Sequence, residues 1–186
     1  MSKIEDHYPD HERFYLMVAN GKIFKRPTVV HTVLGSCVTV TFFCRAKKIG
    51  AIFHAILPVM PKKEKNKPGR NQYKYVDTSI RHILRSLHSI GVKDAQIEAK
   101  VFGGAQAIFK GNLKPGPNNI RVAFEVLTKH KIKILASDVG GDKGRNLAFI
   151  TDTGEVFVKT HKTNMVDALH GTSRLSGNGN GRGPHL

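Results

Sequence analysis

The sequence predicts an α+β fold, a layered and largely antiparallel β-sandwich with helices packed on it. Short runs rich in β-branched and aromatic residues recur between turn signals along most of the chain. Two longer segments instead carry apolar residues at helical spacing, so each helix offers one apolar stripe to a sheet. At 186 residues the chain is large enough for one domain with a real core.

Residues 1–13 are charged and polar and read as an N-terminal extension, not a signal peptide. His7 and His11 stand four apart there beside Asp6 and Asp10, a spacing a metal could use, but a polar terminal extension is the simpler account. Residues 14–18 and 28–30 read as short strands. The apolar runs 38–43 and 49–57 flank the polar stretch 44–47 and predict an antiparallel hairpin. Asp77 is read as the cap of a helix carrying Ile80, Ile83, Leu84 and Leu87, ended by Gly91. A strand over 96–102 follows. Pro117-Asn118 then opens a second helix with Ile120, Ala123, Phe124 and Leu127 on one face. Strands at 132–137, 146–150 and 155–159 close the domain, the last two joined through Asp152-Thr153-Gly154. Residues 14–160 thus form one domain, and the glycine-rich residues 161–186 read as a disordered tail.

The hairpin carries the chemistry. With a four-residue loop at 44–47, residue 43 pairs with residue 48 and Cys37 falls directly opposite His54. Opposed residues have Cβ atoms about 4.5–5.5 Å apart, within reach of an imidazole nitrogen and a sulfur. A loop one residue longer or shorter would send the two side chains to opposite faces. A free thiol with a pKa of about 8.5 is mostly protonated at neutral pH, and a neighbouring imidazole can take its proton on attack and return it to a leaving amine. Burial as core filling is the bland alternative for a lone cysteine in an apolar strand. Cys37 and Cys44, seven residues apart on one extended arm, would lie about 20 Å apart, beyond the span of about 4.4–6.8 Å that a disulfide permits. Cys44 is therefore expected as a free thiol at the loop edge.

The string Thr32-Val33-Leu34-Gly35-Ser36-Cys37-Val38, followed by His54 and Leu57-Pro58, resembles the CheD family of chemotaxis deamidases. Tyr75-Val76-Asp77, Lys100-Val101-Phe102-Gly103-Gly104-Ala105, and Asp138-Val139-Gly140-Gly141 with Gly144-Arg145 continue the resemblance in the same order. It implies a Cys–His hydrolase-like layered fold and a cysteine-dependent glutamine amidohydrolase. Carried across, Cys37 is the nucleophile, His54 its base and Thr32 the third catalytic member. Asp138 stays open as an alternative partner for the imidazole. The implied reaction converts glutamine side chains of methyl-accepting chemotaxis proteins to glutamate through a thioester, with no cofactor or metal. Oxyanion donors would come from backbone N–H groups near residues 35–37 or in a glycine-rich turn. Gly103-Gly104 and Gly140-Gly141 can equally be turns that need positive φ or a close backbone approach. Members of the family also associate with a CheC-type phosphatase, so a non-catalytic regulatory binder of receptors or of that phosphatase is the alternative function.

Thirty Lys and Arg against fourteen Asp and Glu give a net charge of +16. Lys62, Lys63, Lys65, Lys67, Arg70 and Lys74 concentrate it just after the strand that bears His54, where it would steer an acidic partner. The bland reading is a solvated loop. Nucleic-acid binding, the usual meaning of such a charge, lacks its other marks: the only rings near the block are Tyr73 and Tyr75, with no zinc or helix-turn-helix pattern. No apolar run is long enough to cross a bilayer, and a working thiolate calls for the reducing cytoplasm.

Overall fold

The computed structural model describes residues 2–64, 67–69, 71–106 and 115–161. In chain order these form α1 (Ser2–His7), β1 (Glu12–Tyr15), β2 (Asn20–Phe24), β3 (Thr28–Leu34), β4 (Val38–Cys44), β5 (Ile49–Ala55), α2 (Val76–Ser89), β6 (Ile97–Gly103), α3 (Pro115–Lys129), β7 (Lys133–Val139), β8 (Arg145–Ile150) and β9 (Val156–Thr160). The expected tail, from residue 162 on, lies outside the described residues.

Two sheets stack. One has the order β1-β3-β8-β9 and the other β2-β5-β4-β6-β7. Only β1 with β3 and β6 with β7 run parallel, so the sandwich is largely antiparallel, as its strand order predicts. The five-stranded sheet is buried on both faces: every residue of β4 and all but the first of β5 are buried. Val38, Val40, Phe42, Ala51, Phe53 and Ala55 face α2 and α3, meeting Val76, Ile80, Ile83, Leu84, Leu87, Val122, Ala123 and Leu127. On the other face Phe24, Ile52 and Phe102 meet Leu16, Val30, Leu34, Leu147 and Phe149 of the four-stranded side. Layers therefore run helices, five-stranded sheet, four-stranded sheet. The chain passes from one sheet to the other at residues 35–37, the short bend between β3 and β4.

Three local expectations change. Tyr75, not Asp77, occupies the cap position of α2. The chain enters that helix pinned to the segment after β5, by Val76 N–H to Leu57 O and Asp77 N–H to Pro58 O. The Asp77 carboxylate consequently accepts from Met60 N–H at 3.0 Å and from Arg81 at 2.8 Å, leaving the first turn of its own helix without it. Secondly, β2 has no expected counterpart, since its sequence Asn-Gly-Lys-Ile-Phe opens on turn residues; it forms by pairing with β5 at the sheet edge. Thirdly, the strand expected at 14–18 is displaced to Glu12–Tyr15, because pairing runs parallel to β3 from Glu12 opposite Thr28. Residues 2–7 are helical, and Ile4 and Tyr8 lie on Val29, Ala148 and Ile150 at the outer face of the four-stranded sheet. His11 pairs with Asp152 at 2.9 Å.

Candidate active site

The hairpin register differs from the expected one by two residues. Cys44 is the last residue of β4 and pairs with Ile49, which puts Thr39, not Cys37, directly opposite His54. The reason lies in the turn. Arg45–Lys47 form one 3₁₀ turn and Lys48 adopts a left-handed conformation with φ 51°, so the four-residue connection begins one residue later than the polar stretch suggests. Cys44 behaves as a small hydrophobe, 1% exposed in the helix-side core, and is a free thiol that is buried, not displayed at the loop.

A shift of two preserves parity. Val38 pairs with Gly103, and Gly104 N–H donates to Cys37 O at 2.7 Å, continuing the β4–β6 ladder one residue past the strand end. Cys37 thus stays on the face of Thr39 and is the diagonal neighbour of His54, a relation that spans about 7–8 Å, and no hydrogen bond joins its thiol to His54 Nε2. That face looks towards the four-stranded sheet.

From the opposing sheet comes Thr32 on β3. Its hydroxyl donates to Leu16 O at 2.9 Å and stands 2.9 Å from His54 Nδ1. With its proton committed to Leu16, the hydroxyl oxygen can only accept from the imidazole. Nδ1 therefore carries the proton and Nε2 is left bare, with its lone pair free. Thr32 is 1% and His54 5% exposed, so this contact between the sheets is shielded from water. Among the described residues, His54 Nε2 and the Thr39 hydroxyl opposite it are buried without a hydrogen-bond partner. Burial lowers the His54 pKa to about 4. Burial also raises the half-buried Cys37 thiol, against a lesser opposing effect of its own backbone N–H. The resting pair is neutral thiol and neutral imidazole.

Asp138 does not reach the imidazole. It accepts from Arg145 at 3.0 Å, and the buried Arg145 guanidinium also donates to the carbonyls of Asp138, Gly140 and Gly103. All four glycines of the two pairs have positive φ. At Gly103, φ is 100° and a Cβ would collide with the Cys37 carbonyl oxygen, so the bend holding the thiol can sit against β6 only because that residue is glycine. Gly104 N–H is spent on Cys37 O and Gly140 N–H on Gly103 O, which removes both as oxyanion donors. One contributor escapes sequence reasoning. Asn119 of α3, wholly buried, donates from Nδ2 to Ser36 O at 3.1 Å and to Ile56 O at 2.8 Å. Its sequence signal is a polar residue on the apolar stripe shared with Val122, Ala123 and Val126.

The family model described as CheD chemotactic sensory transduction matches residues 56–160, more than half of the chain. The chain belongs to the CheD family. A relative in Maridesulfovibrio salexigens, named "Probable chemoreceptor glutamine deamidase CheD", is 36% identical over 163 residues, covering 84% of this chain and 96% of that protein. That stretch is too long to miss Thr32, Cys37 and His54, although the family model itself begins just after His54. "Probable chemoreceptor glutamine deamidase CheD 2" of Geobacter sulfurreducens is 38% identical over 82% of this chain and 92% of its own length. An archaeal CheD relative in Methanococcus maripaludis is 34% identical over 74% of this chain and 88% of its own. Among solved structures, the Bacillus licheniformis hypothetical protein YfiH overlaps 65% of this chain and 51% of its own, with 13% identity and a TM-score of 0.43. At that distance nothing about the site is transferable.

Proposed function

We propose that this CheD-family chain is a chemoreceptor glutamine deamidase in which Cys37 is the nucleophile, His54 the general base and acid, and Thr32 the group that fixes the imidazole. The catalytic domain is residues 14–160. The observation that carries the assignment is the bond between the sheets from His54 Nδ1–H to Thr32, backed by Leu16 O, which points a bare Nε2 into the face that bears Cys37.

Because thiol and imidazole rest neutral, the proton moves as the bond forms. Sγ of Cys37 attacks the side-chain carboxamide carbon while His54 Nε2 takes the thiol proton. The tetrahedral intermediate collapses, the C–N bond breaks, and His54 returns the proton to the departing ammonia. Water then enters, gives a proton to His54, and its oxygen displaces the thiolate to leave glutamate; the proton returns to sulfur. An imidazolium held by a neutral threonine lacks the support of a carboxylate, so it is short-lived and gives its proton up readily.

The substrate follows from the name that relatives of this length carry, chemoreceptor glutamine deamidase; we take it to be a methyl-accepting chemoreceptor, whose Gln- and Glu-bearing helices suit a basic protein. Asn71 donates to Ala19 O at 2.9 Å, and Ala19 N–H donates to His54 O at 2.8 Å, so the return of the lysine-rich segment is tied beside the site. Lys65 and Arg70 of the basic block lie outside the described residues. No helix among the described residues is long and apolar enough to cross a membrane. We assign the protein to the cytoplasm, where receptor modification regions and reduced thiols coexist, and association with a CheC-type phosphatase belongs to the same reading.

The test is to incubate the protein and Cys37→Ala with cytoplasmic receptor fragments, following ammonia release and the mass gain of about one dalton that amide-to-acid conversion requires. Release from the wild type and none from Cys37→Ala is expected. A folded, reduced wild type that releases nothing from any fragment would overturn the catalytic assignment in favour of a regulatory binder.

A further inference from the structure

Asn119 is the buried polar group that the mechanism above leaves unused. It lies on the inner face of α3 at 0% exposure, where the helix otherwise presents Gly116, Val122, Ala123 and Val126. Both of its amide bonds go to irregular backbone: Ser36 O, immediately before the nucleophile, and Ile56 O, two residues after His54. One side chain thus ties the entry of β4, beside Cys37, to the exit of β5, beside His54.

The direction of the first bond matters more than its strength. A trans peptide is planar with its C=O and N–H pointing opposite ways. Turning the Ser36 carbonyl towards α3 turns the Cys37 N–H away from the helices, towards the layer in which Thr32 and His54 meet. The flanking carbonyls are pinned as well, Gly35 O by Ala105 N–H at 2.8 Å and Cys37 O by Gly104 N–H at 2.7 Å. Three consecutive carbonyls are therefore occupied. No oxygen or nitrogen among the described residues accepts from the N–H of Ser36 or Cys37, and the Cys37 N–H lies against its own sulfur. Successive free N–H groups of this kind form a concave anion site.

We propose that Asn119 is a positioning residue that aims the Cys37 N–H, with Ser36 N–H beside it, at the oxyanion of the tetrahedral intermediate formed on Cys37. The proposal rests on Cys37 being an acyl-transfer nucleophile. Asn119 touches no substrate, and its whole effect passes through the orientation of one peptide unit.

The test compares two reactions of the same sulfur. Acylation by p-nitrophenyl acetate passes through an oxyanion: the S–C bond forms, the thiol proton goes to His54, the C–O bond breaks and p-nitrophenolate leaves. Alkylation by iodoacetamide displaces iodide directly and forms no oxyanion. Loss of an oxyanion donor costs about 10²–10³ in rate, and a donor that is only misaimed should cost at least about tenfold. Asn119→Ala is expected to slow acylation by that factor or more, leave alkylation within about twofold, and lower kcat for deamidation with KM unchanged. Asn119→Asp keeps the shape and cannot offer two donors; it is expected to show the same split and serves if the alanine variant does not fold. Acylation and alkylation falling together, or neither falling, would overturn the proposal. Wild-type protein that acylates at Cys37 but releases no ammonia from receptor fragments would sink the deamidase reading alone, since the acylation-to-alkylation ratio still decides the role of Asn119.

Discussion

Lowering the pH from 7 to 5 should weaken the fold through His54, and the size of the effect follows from its burial. The imidazole titrates at about 4 in the folded protein against an ordinary value of 6.5. The unfolded chain therefore takes up a proton between pH 6.5 and 4 that the folded chain refuses, so stability present above 6.5 is lost as pH falls. Linkage gives a loss of about 2 kcal/mol by pH 5 and about 3 kcal/mol below pH 4. Urea unfolding of the wild type and of His54→Asn, whose amide can still donate to Thr32, isolates this group, because titrations elsewhere cancel in the difference. The stability gap between the two proteins should shift by about 2 kcal/mol in favour of the variant on going from pH 7 to 5. A gap unchanged within about 0.5 kcal/mol would refute a buried, neutral imidazole. Kinetics should agree: kcat/KM for deamidation falls on the acid side only near pH 4 and holds up to the raised pKa of the Cys37 thiol.

Thr32→Val removes the acceptor for Nδ1–H and should lower kcat by about 10- to 100-fold with little change in KM, while Thr32→Ser restores most of it; equal activity of the valine variant would leave the tautomer argument without support. Gly103→Ala, forced to positive φ and against Cys37 O, should cost about 1–3 kcal/mol in chemical unfolding and slow deamidation as the bend shifts. Replacing Lys62, Lys63, Lys67 and Lys74 with Gln should reduce kcat/KM on an acidic receptor fragment and flatten its salt dependence, with p-nitrophenyl acetate hydrolysis unaltered; parallel loss in both assays would argue against steering.

Much of the fold is legible because β4, β5 and the two helices state their periods clearly. The face shared by Cys37, Thr39 and His54 is legible too, since parity survives a shift of two. The register itself is not. Cys44 stands between Phe43 and Arg45 at the edge of the polar stretch and reads as loop, and only the helix-side core that buries it draws it into the strand. Thr32 is recognisable by its string, but its partner Leu16 O is a backbone atom with no sequence signature. Asn119 is hidden for a related reason: its two acceptors lie 83 and 63 residues earlier in the chain, and a Pro-Asn-Asn string announces only a helix start. Local chemistry is written in local sequence; contacts between layers are not.

The bond from Thr32 to His54 also depends on a strand made late in synthesis. Thr32 belongs to a sheet in which β3 is held between β1 and β8, and β8 spans Arg145–Ile150, close to the end of the folded domain. A ribosome-bound chain that already displays Cys37 and His54 has β1 beside β3 but not yet β8. Arg145, which clamps the glycine turns behind Cys37, arrives with that same strand. The four-stranded sheet that seats Thr32 against His54 is therefore complete only when the last strands emerge.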